Sequence, residues 1–110
     1  MTTFATDTTT WHPKDGPTPH PQRLLSGPGL TLVRISFRQG QLLDEHRAPG
    51  PILITCVSGL IDLDITTPTP ESHLLEPHTT IYVPAGAPHR LLAREDTVIH
   101  VTLHRTVHGE

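Results

Sequence analysis

The sequence predicts an all-β domain closed into a barrel, and three observations lead there. Short segments alternate apolar and polar residues with a period of two. Glycine and proline turns recur about every 8 to 12 residues. No stretch sustains the 3.6-residue period of an amphipathic helix. A chain of 110 residues is the size of one core. Its low hydrophobic content, 35%, and its 12 prolines assign part of it to arm and loop.

Residues 1–22 read as an extended arm, rich in threonine and then in proline, with a short edge strand near Thr8 to Trp11. Trp11, the only tryptophan, is expected to pin this arm to the barrel or to a partner subunit. The barrel is expected over residues 23–110. Within it, Val33, Ile35 and Phe37 alternate with Arg34, Ser36 and Arg38, which marks a half-buried strand ended by Gly40. Ile52 to Val57 is an apolar run suited to a strand covered on both faces. Beyond Ser58-Gly59, Ile61, Leu63 and Ile65 alternate with Asp62 and Asp64. Thr67 to Ser72 reads as a proline-rich hairpin loop, and His73 to Glu76 as a short strand. Thr80 to Val83, His89 to Ala93 and Thr97 to Arg105 supply the last strands, around Pro84-Ala-Gly86 and Arg94-Glu-Asp96.

Composition narrows the function. The formal net charge is −3 and the 8 basic residues are scattered, so no stripe of cations offers to track a nucleic acid. The nine histidines would reverse that charge on protonation, which makes solubility acid-sensitive. Cys56 is the only cysteine, so an internal disulfide is excluded and a reducing compartment fits. The first residues lack a basic segment followed by an apolar one, and no run reaches the length of a membrane span. The expectation is a soluble cytoplasmic protein with no nucleic-acid or membrane partner. A homodimer is expected, because a barrel this small gains by covering a face with a second copy.

Two stretches carry the chemistry: Gly40 to Gly59 (GQLLDEHRAPGPILITCVSG) and Tyr82 to His89 (YVPAGAPH). They resemble the paired motifs of the cupin superfamily, whose members are double-stranded β-helix jelly rolls of the RmlC-like type. The first cupin motif runs glycine, five residues, H-x-H, three or four residues, glutamate, six residues, glycine. Gly40, His46 and Gly59 fall on it. The second runs glycine, five residues, P-x-G, two residues, histidine, three residues, asparagine. Pro84, Gly86 and His89 fall on it. The resemblance spans about residues 29 to 104 and implies a pocket with His46 and His89 converging at its mouth.

The departures lie at the positions that would hold a metal. The second histidine of H-x-H is Ala48, the glutamate is Ile52, the opening glycine of the second motif is His78 and the asparagine is Ala93. Of four family ligands, His46 and His89 remain. Asp44 stands two residues before His46, so in a regular strand both point to one side, and Asp44, His46 and His89 would compose a two-histidine, one-carboxylate triad. His100 and His104 are further donors, although the apolar Ile99, Val101 and Leu103 turn them the other way. Three readings follow. The favoured one is a small-molecule binder with an apolar pocket lined by His46, Ala48, Ile52, Ile54, His89 and Leu91. The second is an enzyme. It would be a metal-dependent, dioxygenase- or isomerase-like enzyme with zinc, iron, nickel or manganese on His46, His89 and a non-standard third ligand, or a metal-free isomerase or lyase with the histidines as acid and base. The third is an interaction module built on the proline arm and the dimer face. Cys56 shares parity with Ile54 and reads as a small hydrophobe. Arg47 and Arg90 each follow a motif histidine and are expected to face away from it, at the rim, where a guanidinium suits an anion.

Overall fold

A computed structural model describes residues 3, 5–6, 10–66 and 68–105. Among them are nine strands and no helix: β1 (His20–Gly27), β2 (Leu30–Phe37), β3 (Leu42–His46), β4 (Ile52–Ser58), β5 (Ile61–Ile65), β6 (Glu71–Leu75), β7 (Thr80–Val83), β8 (His89–Ala93) and β9 (Thr97–His104). Every pairing is antiparallel. One sheet has the order β1-β2-β9-β4-β7 and the other β3-β8-β5-β6. The two inner faces pack against each other, as the alternation of the sequence demands. Ile35, Ile54 and Ile99 come from one sheet, and Ile61, Leu63 and Leu91 from the other. This is the all-β jelly roll that the sequence predicts. No helix among the described residues is long and apolar enough to cross a membrane.

Three elements differ from expectation. β1 begins at His20, inside the segment assigned to the arm, and Pro21 sits within it opposite Ile35. A proline is tolerated there because β1 is the edge of its sheet, where a missing N–H breaks no ladder bond on the open side. β6 begins at Glu71, two residues inside the expected hairpin loop, where Glu71 and Ser72 pair with Ile65 and Asp64. Of the edge strand near Thr8 to Trp11, Thr8 and Thr9 lie outside the described residues, and Thr10 and Trp11 are not in a strand.

The arm itself is stitched down. Trp11 donates from Nε1 to the Phe37 carbonyl at 3.1 Å, and the Arg38 guanidinium lies 5.6 Å from its ring centre. The buried Gln41 amide donates to the carbonyls of Lys14 and Gly16, at 2.8 and 2.9 Å. Each bond satisfies a backbone group of a proline-rich segment that has no ladder of its own.

Candidate functional site

The second motif stretch builds its side of the site through one turn. The Ala87 N–H donates to the Pro84 carbonyl at 3.2 Å, and Gly86, at the third position, has a φ of 77°. That is the geometry of a type II turn, which needs glycine there. Pro88 then holds the chain extended into β8. His89 follows, buried at 1% exposure, its Nδ1 at 3.0 Å from the Ala87 carbonyl.

The first stretch reaches the same place by an irregularity. In the β3–β8 ladder Leu43 pairs with Leu91 and His46 with His89, so three steps on β3 match two on β8. The extra residue is a β-bulge. It lets Leu43 and His46 line one cavity, while Asp44 and Glu45 face a separate outer cleft with Asp64 and Arg90. The expected triad is corrected here: Asp44 does not share a side with His46, because the bulge shifts the alternation between them. Only its backbone carbonyl meets the histidine, 3.0 Å from Nδ1.

The two rings stand side by side, centroids 4.2 Å apart and planes inclined by 59°. A carbonyl only accepts, so each Nδ1 carries the hydrogen in the neutral ring and leaves the lone pair on Nε2. Neither Nε2 has a hydrogen-bond partner among the described residues. Burial pushes the His89 pKa below its ordinary value, the Ala87 carbonyl opposes this, and His46 adds to it. His89 is therefore a neutral imidazole at pH 7.

Behind the rings lies a cavity of about 310 Å³ between the sheets. His46, Ala48, Ile52, Ile54, His89 and Leu91, the six residues singled out in the sequence, all line it. Val33, Ile35, Val101 and Leu103 line it too, brought in by the pairing of β2 and β4 with β9. Their inward parity is visible in the sequence, but which strands neighbour one another is not. Arg47, expected at the rim and facing away from the cavity, is among the lining residues. Arg90 faces the outer cleft, where it pairs with Asp64 at 3.4 Å.

A strap, Ala48 to Pro51, closes one side of the cavity. The Gly86 N–H donates to the Ala48 carbonyl at 2.8 Å and the His104 N–H to the Pro51 carbonyl at 3.2 Å. A side chain on Gly50 would run into the His104 carbonyl.

The donor set does not fit a resident metal ion. Ala48 and Ile52 put hydrocarbon where the family would put an imidazole and a carboxylate, and Asp44 is turned outward. Among the described residues no three histidine, cysteine, aspartate or glutamate side chains gather to hold a metal. Two imidazoles fall short of the three protein ligands that catalytic zinc and non-haem iron commonly take. His100 is half-buried on β9, and His104 borders a neighbouring cavity. Cys56 is fully buried, and burial pushes its thiol up to about 11.

No protein-family model matches the sequence, nor does any curated protein. Solved structures do. A conserved protein of unknown function from Streptococcus pyogenes is 26% identical with a TM-score of 0.73, covering 86% of this chain and 80% of that one. An RmlC-like cupin protein from Desulfovibrio desulfuricans is 16% identical with a TM-score of 0.79, covering 94% and 97%. A cupin superfamily protein from Desulfitobacterium hafniense is 15% identical with a TM-score of 0.75, covering 84% and 83%. With both motif histidines side by side at a cavity between two antiparallel sheets, the chain has the fold of the cupin superfamily, in its small single-barrel form.

Proposed function

We propose that the protein binds a small organic molecule in the cavity between its sheets, gripped by apolar walls and oriented by His46 and His89. The observation that carries this reading is the lining. Ala48, Ile52, Ile54 and Leu91 wall with hydrocarbon a cavity of about 310 Å³, with the buried His89 and the exposed His46 at its mouth. Organic ligand sites combine apolar walls with a few placed polar groups in this way. A ligand that binds only the folded chain raises its melting temperature. A thermal-shift screen of small metabolites is expected to give a compound that stabilises the protein and loses its effect in Ala48→Phe, which fills the cavity from the strap. A screen without a stabilising compound counts against the proposal. Near-stoichiometric iron, nickel, zinc or manganese in protein purified without chelator, lost in His46→Ala and His89→Ala, would replace it with the metal-dependent reading.

One observation favours a second reading, metal-free acid–base catalysis as an isomerase or lyase. Two adjacent imidazoles, one held neutral and both with Nε2 unengaged, are equipped to move a proton. Turnover of the bound compound, abolished in His89→Gln with binding kept, would establish it.

We also propose a homodimer. Light scattering at micromolar concentration is expected to give twice the mass of one chain, and the mass of one chain would remove the claim.

A further inference from the structure

The histidine cavity is not isolated. A second cavity of about 290 Å³ adjoins it on the other side of the strap, and the two share Ala48, Pro49, Ile52, Val33 and Leu103 as walls. The charged residues around this combined space have one sign. Arg47 borders the histidine cavity, and Arg23 and Arg105 border its neighbour. Neither lining contains an aspartate or a glutamate. In a chain with 11 acidic and 8 basic residues that sorting runs against composition. The acids nearest in sequence, Asp44 and Glu45, are carried to the outer cleft by the bulge, and Glu45 there accepts from the Thr66 hydroxyl at 2.7 Å.

Arg47 is also uncommitted. Arg38, Arg90 and Arg94 each pair with an aspartate, but the Arg47 side chain makes no ion pair or hydrogen bond with the described residues. Single exposed arginines are ordinary on protein surfaces. Three of them around one apolar space with no acid between form a field that favours an anion and disfavours a cation. A guanidinium presents a planar fork that suits a carboxylate.

We infer that the ligand of the cavity is an organic carboxylate with an apolar body, its hydrocarbon between the sheets and its charge at Arg47. The inference rests on the small-molecule reading above and names its class. Away from the two imidazoles, Ile52, Ile54 and Leu91 offer no partner to a second polar end, so the walls suit an apolar body.

Isothermal titration calorimetry of the full chain at pH 7.5 tests it with three probes of one shape: octanoate, octanamide and octylamine. Octanoate is expected to bind about tenfold more tightly than octanamide, the scale of one charge-assisted contact, with octylamine weakest. Raising the salt should narrow the gap. Arg47→Gln should bring octanoate down to the level of octanamide, while Arg47→Lys keeps most of the preference. Both replacements are at an exposed position, and unchanged melting temperatures would show intact folds. Equal binding of octanoate and octanamide would overturn the charge inference and leave the apolar-cavity reading standing. Failure of all three probes would overturn both. Octyl phosphate binding tenfold more tightly than octanoate would move the class to phosphate monoesters and overturn the carboxylate assignment.

Discussion

Gly59 and Gly40 frame the first motif stretch, and their replacement by alanine separates two physical effects. Both have positive φ, +91° at Gly59 and +85° at Gly40. An L-residue pays about 1–2 kcal/mol in that region. At Gly40 a Cβ would meet nothing within 4 Å, so Gly40→Ala should cost that amount alone. At Gly59 the Cβ would run into the Asp96 carbonyl and into Thr97, whose side chain is wholly enclosed. The Thr97 hydroxyl ties the turn together: it accepts from the Leu60 N–H at 3.1 Å and lies 2.8 Å from the Glu95 carbonyl. Moving it aside forfeits two hydrogen bonds of about 1 kcal/mol each. Gly59→Ala should then cost about 3–4 kcal/mol, twice or more the cost of Gly40→Ala. Urea unfolding with a common slope measures both, and a melting-temperature drop of about 4–8 °C per kcal/mol gives an independent check. Equal costs for the two variants would refute the close approach of the β4–β5 turn to β9.

Three further outcomes are expected. His78 has a φ of 74° at the position where the cupin motif has glycine, so His78→Gly should raise stability by about 1 kcal/mol in urea unfolding. A loss would mean that its side chain contributes more than its backbone strain costs. Cys56, with its thiol pushed up to about 11 by burial, should react with a thiol reagent at pH 8 only as fast as the chain unfolds. Prompt labelling of the native protein would contradict its burial. His89 is held neutral in the fold, so as pH falls below about 6.5 the unfolded chain takes up the proton first and stability declines. The neutral ring's contribution is complete above that pH and is lost below it. His46 is the titratable group whose ring stands beside His89. His89→Gln should flatten the decline between pH 7.5 and 5.5, and identical slopes for variant and parent would refute the assignment.

The fold was legible wherever period-two alternation met a clear stop. Val33, Ile35 and Phe37 set the phase of β2, and Gly59 and Pro84 bounded their strands where expected. The convergence of His46 and His89 was legible through the resemblance of their two stretches to the paired cupin motifs. β1 was hidden because Pro19 and Pro21 signal an arm, and nothing local says that the segment lies at an edge where proline is harmless. Arg47 escapes the alternation because β3 ends at His46, and the Asp44 triad fails for a separate reason. A bulge leaves no mark in a run such as Asp44-Glu45, because two polar residues carry no phase in a hydrophobic alternation. Val101 and Leu103 were assigned to an apolar face but not to the cavity, since strand order is settled by long-range pairing.

The irregular step in β3 also sets what this segment tolerates. Removing either Asp44 or Glu45 would restore even pairing without re-aiming Leu43 or His46, since both stay opposite Leu91 and His89. Chain length can therefore vary by one at this point with the interior untouched. A carboxylate reaches the interior only by replacing a side chain that already points there.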